Sequence, residues 1–82
     1  MDLMVTVSLD MDDPESGLDV FAAALPAASG AAYALGDRWM DVTLTAMSID
    51  AGRALCARAA SAAGLPWTVR KVIAEPHVAH RG

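Results

Sequence analysis

Leu3-Met4-Val5-Thr6-Val7-Ser8-Leu9-Asp10-Met11 alternates without a break. Leu3, Val5, Val7, Leu9 and Met11 point one way; Met4, Thr6, Ser8 and Asp10 point the other. Successive side chains of a strand leave on opposite faces, so this period of two, carried partly by β-branched residues, predicts a strand with one buried face.

The next residues read as a helix start. In Asp12-Asp13-Pro14-Glu15 an aspartate can accept from orphan amides, proline fits the first turn, and glutamate suits the positive helix end. Leu18, Phe21, Ala22 and Leu25 follow at helical spacing, and Pro26 ends or kinks the helix. Ala31 to Leu35 is a short second strand. Gly36-Asp37 reads as a two-residue hairpin turn with glycine at positive φ, and Arg38 to Met47 returns as a third strand. That turn sets Tyr33 opposite Met40 and Ala31 opposite Val42, and the apolar faces coincide. Ser48 or Asp50 caps a second helix running to about Ala63, with Ala51, Leu55, Ala59 and Ala62 as its apolar stripe and Arg53 and Arg58 outside. Gly64-Leu65-Pro66 is a stop signal. Trp67 to Glu75 forms a last strand whose alternation breaks at Arg70-Lys71, the mark of a bulge or an edge.

The order is therefore strand, helix, strand, strand, helix, strand. This is the ferredoxin-like pattern, an α+β sandwich of a four-stranded antiparallel sheet with two helices on one face. The first and third strands are expected at the centre, the second and fourth at the edges. Residues 1–75 form a single domain in this reading, and residues 76–82 a C-terminal tail.

Composition bounds the function. The chain has 82 residues, 55% hydrophobic and 20% charged, with a formal charge of −4. It is one domain, too apolar for a disordered chain. No apolar run approaches the roughly 20 residues of a membrane span. Six basic residues, only Arg70 and Lys71 adjacent, leave little to displace phosphate counterions, so nucleic acid and anionic membranes are poor partners. The start, Met1-Asp2-Leu3-Met4, lacks a basic segment and a long apolar core, and a cytoplasmic location is expected. Alanine fills 18 positions and arginine outnumbers lysine five to one, a bias of high-GC sources such as actinobacteria or their phages. Alanine buries little area, and domains this short are marginal alone, which favours association.

Candidate chemistry is sparse. Cys56, the single cysteine, sits mid-helix with only Arg53 near it and reads as packing. His77 and His80 form an H-x-x-H pair in the tail, beside Glu75 but with no helix to present them to a metal. Asp10, Asp12 and Asp13 lack the central glycine and distal glutamate of a calcium loop. No nucleophile elbow, phosphate loop, C-x-x-C or dinucleotide fingerprint occurs. No catalytic residue, cofactor or metal is assigned.

Parity places Met4, Thr6, Ser8, Ala32, Ala34, Trp39, Asp41, Thr43, Thr45 and Met47 on the sheet face that the helices leave open. Its central positions are serine and threonine, where RNA-binding versions of this fold carry aromatics. Mixed polar and aromatic surfaces suit interfaces, so Met4, Thr6, Trp39, Asp41, Thr43, Thr45 and Met47 are the expected contact residues. The function expected is a small non-enzymatic protein-interaction module, homodimeric, of the kind a phage or bacterium uses as an accessory factor to bind and modulate a host protein.

Asp13-Pro14-Glu15-Ser16-Gly17-Leu18 resembles the first strand-to-helix turn of ACT regulatory domains. In that family glycine follows proline directly, whereas here Glu15 and Ser16 intervene. The resemblance implies an alternative function, small-molecule sensing, with Asp10, Asp12, Asp13 and Gly17 forming an amino-acid loop at a dimer interface. A third reading is an enzyme using Asp41, Thr43 or Tyr33 on the sheet. Acylphosphatases share the fold, but no arginine-bearing phosphate loop follows Leu9.

Overall fold

The computed structural model describes residues 2–64 and 66–76. Alternation at Leu3–Met11 produces the first strand, β1. It is followed by helix α1 (Pro14–Ala24), a 3-10 turn (Ala27–Ser29), strands β2 (Ala32–Leu35) and β3 (Trp39–Ala46), helix α2 (Ile49–Ala63) and strand β4 (Trp67–Pro76). All pairings are antiparallel and the sheet order is β2-β3-β1-β4. This is the expected α+β, ferredoxin-like arrangement, with β1 and β3 central. Pro76 lies within β4, and the rest of the expected tail, with His77 and His80, lies outside the described residues.

The helices bury the odd positions of β1. Val5, Val7 and Leu9 are fully buried, as are Met40, Val42 and Leu44 of β3. Phe21 of α1 and Leu25, the residue after that helix, complete this core, and the Phe21 ring meets Tyr33 edge-on, with centroids 6.1 Å apart and planes at 84°. The stripe of α2 differs from the expected one. Gly52, Cys56, Ala59 and Ala60 are buried, while Ala62 is exposed. Alanines occur all round this helix, so they carry no phase information, and the one larger buried residue, Cys56, sets the true face. The packing reading of Cys56 holds: its thiol is free and buried. Burial pushes that thiol up to about 12 from 9.0, because the thiolate cannot be solvated there.

Gly52 explains why α2 sits so close to the sheet. A Cβ at this position would lie 2.9 Å from a Val5 methyl. Small residues on one helix thus let large residues on the strands come up against its backbone.

The two helix starts use different chemistry. Ser48 caps α2 as expected, its Oγ accepting from the Ala51 N–H at 3.0 Å. No aspartate side chain caps α1. Asp13 instead takes the left-handed conformation (φ 49°, ψ 61°), which Asp tolerates better than most residues. Its carbonyl receives both the N–H and the hydroxyl of Ser16, at 3.2 and 3.1 Å. Gly64 ends α2 in the left-handed region, φ 72°, as the stop signal predicts.

The hairpin is displaced from its expected register. Tyr33 pairs with Val42 and Leu35 with Met40. The Gly36 N–H donates to the Trp39 carbonyl at 3.0 Å, so Asp37-Arg38, not Gly36-Asp37, is the two-residue loop. The shift is two residues, which leaves every side chain on its expected face. Gly36 has ordinary φ; it is needed because the Trp39 indole lies where a Cβ would stand.

Candidate functional site

The uncovered face is built from the even positions of β1 and their neighbours. Cross-strand pairing arranges it in rows. Ala32, Thr43, Thr6 and Ile73 form one row, with the Thr6 and Thr43 hydroxyls hydrogen-bonded at 3.0 Å. Ala34, Asp41, Ser8 and Lys71 form the next. Trp39, Asp10 and Thr68 lie beyond these, and Thr45, Met4 and Glu75 form the row at the other end.

Sequence parity placed Met4, Thr6, Ser8, Ala32, Ala34, Trp39, Asp41, Thr43 and Thr45 correctly. Met47 is different: β3 ends at Ala46, and Met47 is 81% exposed in the bend before α2. The β4 contribution was missed, because it depends on the bulge. Ser8 pairs with Lys71 but Leu9 pairs with Val69, so Arg70 is the extra residue. The break at Arg70-Lys71 signalled the bulge; only the pairing shows that Lys71 and Ile73 return to the open face.

Three features give this face its character. Trp39 is half-buried, its indole folded over Gly36 at the hairpin end. Ile73 is 43% and Met4 40% exposed, so two large apolar side chains stand in water among threonines. Asp41 carries a buried Oδ1 with no hydrogen-bond partner among the described residues, whereas buried polar atoms are ordinarily paired. Near the bulge, the Arg70 guanidinium lies 3.6 Å from the Asp10 carboxylate, both side chains about half exposed.

The alternative ligand loop divides. Asp10 and Asp12 line an open cleft of about 390 Å³ at the end of the sheet, with Arg38, Trp67 and Thr68. Asp13 and Gly17 do not join them. Asp13 is the left-handed N-cap of α1, and Gly17 is buried against Ala60 and Ala63 of α2. The trio Asp41, Thr43 and Tyr33 divides too, since Tyr33 points to the helix side and packs on Phe21. Among the described residues no group of three or more His, Cys, Asp or Glu could hold a metal ion. Among the described residues no helix is long and apolar enough to cross a membrane.

Compared with protein-family models, with curated proteins and with solved structures, the chain finds no match.

Proposed function

We propose that the chain is a small, non-enzymatic protein-interaction module whose working surface is the open face of the sheet, and that it acts as an accessory factor on a protein partner. The observation that carries this reading is the make-up of that face. Exposed Met4 and Ile73 stand among threonines toward one end, a half-buried Trp39 lies at the other, and between them is a carboxylate oxygen with no partner among the described residues. Aromatic and methionine side chains within a polar rim are the usual composition of protein interfaces. Trp39→Asp tests it, once circular dichroism shows that the variant folds. Affinity capture from the native host and light scattering at micromolar concentration should both lose complex relative to the wild type. Unchanged capture and unchanged mass would overturn the assignment of the face.

A second reading draws on the cleft at Asp10, Asp12 and Arg38. Two carboxylates and a guanidinium around one opening offer both signs of charge to a zwitterion, which is what an amino-acid sensor needs. A thermal-shift screen of amino acids addresses it. A ligand present at one hundred times its Kd would stabilise the fold by about 2.7 kcal/mol, and a flat screen retires the idea.

A further inference from the structure

Across β1, the open face carries opposite charges at matched distances. Asp41 on β3 and Lys71 on β4 both pair with Ser8, so each stands one strand spacing, about 4.8 Å, from β1. Ser8 between them is only 7% exposed. A two-fold axis parallel to β1 and lying over Ser8 would exchange the two sides of the sheet. It would lay β3 of one copy over β4 of the other. We infer that the open face pairs with a second copy of the chain in this two-fold arrangement, each Asp41 facing the partner's Lys71; this rests on the open face being the working surface.

Every charged group on the face fits. Asp41 brings a carboxylate whose Oδ1 is buried and unpartnered among the described residues, and an ammonium from across the interface answers the charge of that carboxylate. Lys71 has no salt-bridge partner among the described residues. Glu75, in the row of Met4 and Thr45, comes over the partner's Thr45. Trp39 comes over the partner's Thr68 and Arg70, where a guanidinium on an indole face is favourable. Among the charged groups only Asp10 meets its own copy, and its charge is already answered by Arg70 at 3.6 Å. Along the axis Met4 and Thr6 meet the partner's Met4 and Thr6, a small apolar and hydroxyl seam. No bare like-charge pair is left. An isologous interface requires this self-complementarity.

The size of the face sets the strength. Only β3, β1 and β4 overlap about this axis, since β2 lies beyond the partner's β4; three strands at about 4.8 Å and eight residues at about 3.3 Å span roughly 380 Å². Two such faces remove on the order of 760 Å², the size of a weak, transient contact. The pair is therefore weak and concentration-dependent.

Charge reversal tests the register. Asp41→Lys sets lysine against lysine and Lys71→Asp sets aspartate against aspartate, so each variant alone should dimerise at least tenfold more weakly in sedimentation equilibrium. Mixed, the two are complementary, and the heterodimer should exceed the half share that random pairing gives. The double variant Asp41→Lys/Lys71→Asp should recover wild-type dimerisation. Thermal melts of each variant confirm that the fold survives. A wild type that stays monomeric at several hundred micromolar overturns the pairing while leaving capture of a different protein to decide the module reading. A dimer that neither reversal weakens overturns this arrangement and places self-association elsewhere, such as the β2 edge.

Discussion

The two faces of the sheet are made by the same strands and obey opposite rules. On the helix side, Val5, Val7, Leu9, Val42 and Leu44 are at most 1% exposed, and the fit is tight enough that Gly52 has no room for a methyl group. On the other side the same strands present Thr6, Thr43 and Thr45 half-buried, Met4 exposed, and Asp41 with an unsatisfied oxygen. The first face is optimised for folding. The second carries features that cost stability, and such features persist where a surface has another task.

The contrast breaks most visibly at adjacent residues of β3. Leu44→Ala should cost about 3 kcal/mol in urea unfolding, since it empties a fully enclosed site. Thr43→Ala, one residue away, should cost under about 1 kcal/mol, roughly one part-exposed hydrogen bond. Comparable losses at the two sites would mean that the open face is as structural as the covered one.

Gly52→Ala sharpens the point about fit. Helix propensity alone would favour alanine by about 1 kcal/mol. The new Cβ would stand 2.9 Å from a stiff, fully buried Val5 side chain. Chemical denaturation should therefore show a net loss of about 1–2 kcal/mol. A gain would show that α2 can lift from the sheet without penalty.

A smaller effect of opposite sign is expected on the open face. Asp41→Thr removes the unpaired buried oxygen and supplies a β-branched residue, so monomer stability should rise by about 1 kcal/mol. The same change should weaken self-association, and a variant more stable yet less associated would separate the two tasks. A separate effect is in pH. The folded Cys56 thiol keeps its proton up to about 12, against 9.0 ordinarily. Its contribution is intact below pH 9 and is lost as pH rises from 9 toward 12, because the unfolded chain ionises first. Tyr33, also raised by burial and then by the Cys56 charge, acts in the same direction. Urea midpoints at pH values of about 8 and 10.5 should fall less in Cys56→Ala than in the wild type.

Most of the fold is legible in the sequence because strand parity is a strong signal. Leu3–Met11 and Trp39–Ala46 alternate cleanly, and a half-buried strand can hardly read otherwise. Errors arose where one residue served two roles. Gly36 looks like a turn glycine, yet its hydrogen atom makes room for an indole three residues on. Asp13 looks like a side-chain cap, yet it is used for its backbone angles. In α2 the abundance of alanine erased the periodicity, leaving Ala62 misplaced. For the site, β1 and β3 could be assigned by parity, but Lys71 could not. Its face is set by a one-residue bulge whose position depends on hydrogen bonding to β1.

That bulge at Arg70 bears on assembly of another kind. A sheet edge is a template, and a neutral, regular edge invites further strands until a fibre forms. Here one edge is interrupted at Arg70, is charged at Lys71 and includes Pro76, while the opposite edge offers only the four residues Ala32–Leu35. Both edges are thus poor templates for the addition of further strands.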